Sequence, residues 1–346
     1  MRGLVYEGPW KVGLAECPAP GAPTGGEVLV RIAATGICGT DLGIIMGACE
    51  AKVPVVLGHE SAGEVVAVGD RVRSLAPGTR VVIDPTFYCG FCPMCRTDRP
   101  NHCEHKGDTE TGVSRDGTFA PYYKTEERFL YPLAPHVSFE AGSLVEPLSC
   151  ALTGADRLRA RPDMRTLIFG AGPLGILYSH ALACRGLGGA LVEVSAARRA
   201  RAATVAAAGW RITGSAEEAL EDAFGRPTAE VDVIVDTTGV MVEKGVGLLA
   251  RGGQLLTIGL RRSPCTIDAL RLAERSLSLI GSVDSLGTFA SAMHLIESGR
   301  VPAERMVTHR FALDDYREAF LRLGCDLDQR TYSAGAEAMK VVLQPA

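Results

Sequence analysis

The sequence predicts an α/β protein of two domains, one of them built on a doubly wound parallel sheet. Three observations carry that expectation. The chain has 346 residues, more than a single hydrophobic core usually organises. A G-x-G-x-x-G run at Gly170, Gly172 and Gly175 follows a short apolar strand at 166–169 and opens a helix. Strand-like segments then recur at helix-length intervals, the pattern of repeated β/α units.

Each element has its own reason. The N-terminal "MRGLVYEGPWKVG" is charged and strand-like, without the apolar stretch and cleavage site of a signal peptide, so a cytoplasmic location is expected. "EVLVRIAA" reads as a strand leading to Cys38 in "TGICGTD", and "VVLGHESAGEVVAVG" as a second that places His59 and Glu60. Cysteine, histidine and glutamate are ordinary zinc ligands. Taken singly each has a bland explanation in packing or hydrogen bonding; together they form an open set with room for water or substrate. Glu146, in the apolar "SLVEPLSCAL", needs a metal, a hydrogen bond or a proton if it is buried, which makes it a plausible fourth ligand.

Between these lies "CGFCPMCRTDRPNHC". Cys89, Cys92, Cys95 and Cys103 stand at C-x2-C-x2-C-x7-C, with Gly90, Pro93 and Pro100 supplying tight turns. Four thiolates complete a tetrahedral zinc and leave no open position, so this site is structural; an iron–sulfur cluster is the alternative that the spacing also admits. The remaining cysteines that are isolated in sequence, Cys17, Cys49, Cys150, Cys184, Cys265 and Cys325, read as small buried hydrophobes.

In "RTLIFGAGPLGILYSHALACRG" the glycines permit a tight turn and close approach of a pyrophosphate, which sits at the helix N-terminus. Gly170, Gly172, Pro173, Leu174 and Gly175 are therefore expected at the cofactor. Further strands are expected in "ALVEV", "VDVIVDTTG", "GGQLLTIG" and "LSLIGSV", with Thr238 and Gly259 among the cofactor contacts. Glu193 is the carboxylate near the end of the second strand, where an acidic residue grips the ribose hydroxyls of NAD. Ser195, Arg198 and Arg199 just beyond it could accept the 2′-phosphate of NADP. The expected cofactor is NAD, because a carboxylate so placed repels a phosphate, with NADP as the alternative. The arginine-rich "DRLRARPDMR" and "SAARRARAA" read as solvated helix faces.

Composition narrows the class. Hydrophobic residues make up 47% and charged residues 22%, and no apolar run reaches the roughly 18 residues of a membrane span. The formal net charge is −4, without the basic footprint of a nucleic-acid binder. A small-molecule substrate is expected, with neither nucleic acid nor membrane as partner.

Cys38 in "GICGTD", "GHE" at 58–60, the four-cysteine lobe, "EP" at 146–147 and "GAGPLG" at 170–175 occur in this order. Through them the whole chain resembles the zinc-dependent medium-chain dehydrogenase/reductase superfamily. It looks most like the polyol and sugar branch, which includes sorbitol, glucose, threonine and deoxy-scyllo-inosamine dehydrogenases. The resemblance implies a GroES-like, β-rich catalytic domain at residues 1–152 with the zinc lobe at about 86–105, a Rossmann dinucleotide-binding domain at 153–284, and a C-terminal return at 285–346. It implies two zinc ions per chain, a catalytic one held by Cys38, His59 and Glu60 with Glu146 ligating directly or through water, and a structural one in the lobe. Alcohol dehydrogenases place a cysteine where this chain has Glu146; Cys150, four residues on, reads as core packing.

The resemblance also implies that Ser282 and Val283, before Asp284, line the nicotinamide end, and that Thr40 relays the hydroxyl proton. Where many relatives continue that relay with a histidine in "TDLH", this chain has Gly43. Asp41 is expected to orient a ligand. The expected reaction is hydride transfer between a secondary alcohol of a polyol, sugar or (amino)cyclitol and NAD(P). The alternatives are a threonine or simple-alcohol dehydrogenase, or a cofactor sensor of the same fold. The polar extension near Asp326, Gln329, Arg330 and Tyr332 points toward a cyclitol or is a solvent loop. A homodimer or homotetramer is expected, paired through the edge of the Rossmann sheet.

Overall fold

A computed structural model describes residues 1–225, 230–334 and 337–345. They group into two compact units: residues 1–149 with 285–333 and 340–346, and residues 150–284 with 334–339.

The first unit is organised by strand Glu27–Gly36. Its Val28, Val30, Ile32 and Ala34 are fully buried, every second residue, as expected for one face of a pleated strand. The first three pack with Val65, Val81, Ile83 and Tyr123. The sheet order is Val307–Ala312, Lys340–Gln344, Glu27–Gly36, Glu60–Val68, Arg80–Ile83, Leu130–Pro132, with Tyr122–Glu126 also paired to Glu27–Gly36. Gly36, at the end of the organising strand, has a neighbour on each side. It lies opposite Glu60 on one and opposite Val342 on the other.

The second unit carries six parallel strands in the order Trp210–Thr213, Gly189–Val192, Thr166–Phe169, Val231–Asp236, Leu249–Thr257, Ser278–Gly281. In chain order this is 3-2-1-4-5-6, the doubly wound arrangement whose ligands bind beyond the carboxyl ends of the strands. Strand Trp210–Thr213 was not among the expected segments. It is four residues long, lies at the sheet edge and exposes Arg211, so it lacks the apolar run that marks its neighbours. The "DRLRARPDMR" stretch also differs from expectation: the helix ends at Asp156 and the arginines follow in a loop. Arg165 there pairs with Asp232 at 3.1 Å.

The isolated cysteines do not share one environment. Only Cys325 among them is buried, while Cys184 and Cys265 are exposed and Cys17, Cys49 and Cys150 are half-buried. Cys184 caps the C-terminal end of helix Pro173–Ala183, and Cys265 lies in the open segment after Thr257. The C-terminal extension forms a short hairpin, Cys325–Asp326 against Thr331–Tyr332. The Asp326 carboxylate holds its turn by accepting from the backbone N–H groups of Asp328 and Gln329 at 3.0 and 2.9 Å. Among the described residues, no helix is long and apolar enough to cross a membrane.

Two of the glycines in the turn, Gly170 and Gly175, have no room for a side chain, each for its own reason. Gly170 adopts φ +94°, a left-handed conformation that favours glycine. A Cβ on Gly175 would lie 1.9 Å from the Gly170 carbonyl oxygen. Gly175→Ala is expected to cost about 3 kcal/mol, at the upper end of overpacking, and to weaken binding of the expected dinucleotide, read by equilibrium unfolding and by a fluorescence titration.

Candidate active site

The first constellation grows from the end of two paired strands. Because Gly36 lies opposite Glu60, Cys38 just past the one strand end and His59 just before the other are brought together. Potential ligand atoms of Cys38, His59 and Glu60 all lie within 4.8 Å of one another. Cys38 is the N-cap of helix Gly39–Ile45, and its backbone N–H donates to the Asp41 carboxylate at 2.8 Å. The other Asp41 oxygen lies 3.8 Å from His59 Nδ1. Thr40 Oγ1 lies 3.5 Å from the Cys38 sulfur.

The electrostatics favour a cation. Burial alone would lower the His59 pKa, but the charges of Asp41, Cys38 and Glu146 outweigh it and hold the imidazole well above its ordinary value. Burial raises Asp41, which is fully enclosed. Asp41 Oδ1 and His59 Nδ1 are both buried without a hydrogen-bond partner. A thiol, an imidazole and a carboxylate converging in a negative pocket fit a zinc ion.

Glu146 stands outside the 4.8 Å group. It lies in the first turn of helix Val145–Asp156 and is 9% exposed, near enough that its charge acts on both His59 and Lys340. Its helical turn is tied down by Ser149 Oγ, which donates to the Glu146 carbonyl at 2.6 Å, and by Thr288 Oγ1, which donates to the Ser149 carbonyl at 2.8 Å.

Sequence reasoning missed Lys340. It is 2% exposed, its Nζ contacts Glu60 Oε2, and it also donates to the Ile37 carbonyl at 3.1 Å. Burial works against its charge, but Glu60, Cys38 and Glu146 more than compensate and raise its pKa. One signal was available: a lone lysine inside the apolar "AMKVVLQ", since lysine is seldom fully buried without a partner.

The second constellation is the lobe. The sulfur atoms of Cys89, Cys92, Cys95 and Cys103 all lie within 4.8 Å, with separations of 3.5 Å for Cys92–Cys95 and 3.9 Å for Cys89–Cys95 and Cys92–Cys103. A tetrahedron with Zn–S bonds of about 2.3 Å has S–S edges of about 3.8 Å, so the cage has the right size. Backbone N–H groups of Phe91, Cys92 and His105 point at the sulfurs from 3.3 to 3.4 Å. Hydrogen bonds from the backbone of Cys95 and Glu104 pull Cys92 down to about 6, while burial pushes Cys95 up to about 12. Thiols this close do not all ionise unless a cation sits among them.

The residues expected at the dinucleotide gather at the carboxyl ends of the parallel strands. Gly172 is the N-cap of helix Pro173–Ala183, with Pro173 in its first turn and Leu174 next. Glu193 follows directly on strand Gly189–Val192; its carboxylate accepts from Ala171 N at 3.3 Å and Ser195 N at 3.0 Å. Arg198 is not a solvated helix face: it turns back to Glu193 at 3.5 Å. Arg199 likewise donates to the carbonyls of Glu193 and Val194. The Thr238 hydroxyl donates to the buried Asp236 at 2.7 Å, and Gly259 approaches Gly239 so closely that a Cβ would meet its nitrogen at 2.2 Å. Ser282 is buried and Val283 half-buried just after strand Ser278–Gly281.

Comparisons with known proteins agree with this arrangement. The alcohol dehydrogenase GroES-like domain family matches residues 24–135. D-arabinitol dehydrogenase 1 of Uromyces fabae is 30% identical, covering 100% of this chain and 97% of the relative. Sorbitol dehydrogenase of Ovis aries is 32% identical over 92% and 91%. Among solved structures, a candidate zinc-binding dehydrogenase from Sinorhizobium meliloti 1021 bound to NADP is 27% identical, with a TM-score of 0.86 over 99% of each chain. Two zinc-type ligand sets and a 3-2-1-4-5-6 parallel sheet, in a chain similar over its full length to these enzymes, place it: the protein belongs to the polyol dehydrogenase branch of the zinc-dependent medium-chain dehydrogenase/reductase superfamily.

Proposed function

We propose that the protein is an NAD-linked polyol dehydrogenase that oxidises a secondary hydroxyl of a polyol, sugar or (amino)cyclitol, using one catalytic and one structural zinc ion per chain. The convergence of Cys38, His59 and Glu60 within 4.8 Å carries the reading. Zinc held by Cys38, His59 and Glu60 would supply Lewis acidity toward a substrate hydroxyl, and a nicotinamide cofactor bound at the glycine turn would supply the hydride acceptor. The chain's own residues do the rest. Asp41 orients His59, and Thr40, beside Cys38, takes the hydroxyl proton. Glu146, beyond the ligand group yet electrostatically coupled to it, accepts a hydrogen bond from substrate or from a bridging water. Position 43, the glycine of "TDLG", is packed: a Cβ there would lie 2.8 Å from Cys49 Sγ; without a histidine there, the relay beyond Thr40 runs through water or another group.

On the cofactor side, Gly170 to Gly175 and the helix they open take the pyrophosphate, Glu193 the adenosine ribose, and Thr238, Gly259, Ser282 and Val283 line the path toward the nicotinamide. Residues 1–152 and 285–346 form the catalytic domain in this reading and residues 153–284 the dinucleotide domain. A cytoplasmic homodimer or homotetramer completes it: no disulfide joins any of the eleven cysteines, and edge strand Ser278–Gly281 exposes Leu279.

The deciding experiment is a nicotinamide absorbance assay against polyols, cyclitols and simple alcohols, with metal analysis on the same sample. About two zinc per chain and turnover of polyols support the reading; silence with both cofactors in zinc-replete protein retires it. Cofactor choice has its own test. Glu193→Gln removes the charge that repels a 2′-phosphate and frees Arg198 for it. The NAD:NADP ratio of kcat/KM is expected to fall roughly tenfold, the worth of one hydrogen bond to a charged group at about 1.5 kcal/mol. An unchanged ratio would remove Glu193 from the ribose site.

A further inference from the structure

We propose that Lys340 is a positioning residue that keeps Glu60 a one-oxygen ligand, so that the catalytic metal retains an open place for the substrate hydroxyl. The inference rests on the reading of Cys38, His59 and Glu60 as a metal site.

The geometry is unusual for a surface-preferring residue. Lys340 begins the strand that pairs with the end of Glu27–Gly36, and Glu60 begins the strand on the opposite side of the same Gly36. Their side chains meet across that glycine. A Cβ on Gly36 would lie 2.4 Å from Glu60 Oε2 and 2.5 Å from Lys340 Cε. The bare backbone at position 36 is therefore what lets the ion pair form. Nζ contacts Oε2, and the Ile37 carbonyl takes a second N–H at 3.1 Å. Both side chains are 2% exposed, so water does not replace either partner.

The consequence is stereochemical. A carboxylate bound through both oxygens would fill two of the about four positions around zinc, closing a site that already has Cys38 and His59. With Oε2 held by Lys340, only Oε1 remains for the metal. Glu60 then contributes its charge and one bond, and a position stays available for substrate. Lys340 touches neither substrate nor hydride; it acts through Glu60.

The test is Lys340→Met, which keeps the length and apolar stem while removing the cation, read first by metal properties. Expected are two metals per chain, zinc affinity at the Cys38 site equal to or tighter than in the parent, and a drop of at least about twofold in the visible absorption of the cobalt-substituted site as coordination rises. Substrate kcat/KM falls roughly tenfold or more as the open place is lost, and Lys340→Arg restores most of it. Adding Glu60→Gln to Lys340→Met should return the cobalt spectrum toward that of the parent, because an amide does not chelate through two oxygens. An unchanged spectrum in Lys340→Met, or the same change in the double variant, overturns the proposal. Should Lys340→Met not fold, the crystal structure of the zinc-loaded parent decides: Glu60 bound through one oxygen with the other on Lys340 upholds it, and a two-oxygen Glu60 sinks it. A parent with zinc only in the lobe defeats the metal-site reading as well.

Discussion

Cys38→Ser is expected to lower kcat by on the order of 10³-fold and to take the zinc content from about two per chain to about one, with NAD binding unchanged. The size follows from the several kcal/mol by which a Lewis-acid metal stabilises developing alkoxide charge, at 1.36 kcal/mol per tenfold. Serine keeps the backbone N–H that donates to Asp41 at 2.8 Å, so helix Gly39–Ile45 retains its cap and the fold is preserved. What is lost is the soft thiolate that competes for zinc. Turnover, metal analysis and a cofactor titration on one preparation check it. A Cys38→Ser protein that keeps two zinc ions and near-parental kcat would move the catalytic metal elsewhere.

Cys92→Ser is expected to do the opposite. Its sulfur is 3.5 Å from that of Cys95 and 3.9 Å from that of Cys103, and the side chain is nearly buried at 4% exposure. Serine oxygen is too short and too hard to complete the cage. The lobe has 3-10 turns at Cys95–Thr97 and Pro100–His102 but little apolar content, and Phe91 is 66% exposed, so the metal supplies most of its cohesion. Stability should fall by about 4 kcal/mol or more, the range associated with loss of a structural metal. The freshly purified fraction that remains folded should turn over at a rate close to the parent. Thermal unfolding, zinc content and kcat measured together separate the two centres: one loses chemistry with stability kept, the other loses stability with chemistry kept.

The legible parts of the molecule were those encoded at short range. The lobe announces itself because its four ligands fall within fifteen residues, and the glycine turn because a strand, a turn and a helix are contiguous. Cys38 and His59 were legible only as members of an ordered set, since each alone has an ordinary structural explanation. Lys340 was not seen, because its partner lies 280 positions away and a lone lysine in an apolar segment does not tell which residue it meets. Strand Trp210–Thr213 was overlooked for a different reason. As an edge strand it needs to bury only part of its residues, so its apolar pattern is weak. The arginines of "SAARRARAA" lie on a helix as expected and Arg201 is exposed, yet the docking of Arg198 and Arg199 onto Glu193 depends on a loop whose course no periodicity reports.

The crossing of Lys340 and Glu60 over Gly36 also ties together parts of the chain 280 positions apart. A buried unpaired carboxylate is costly, so the strand pair Glu27–Gly36 and Glu60–Val68 gains its full stability only when Lys340–Gln344 is added beside it. Removing strand Lys340–Gln344 is therefore expected to leave Glu60 without its partner and to loosen the ends of both neighbouring strands, read as faster proteolysis near Gly36.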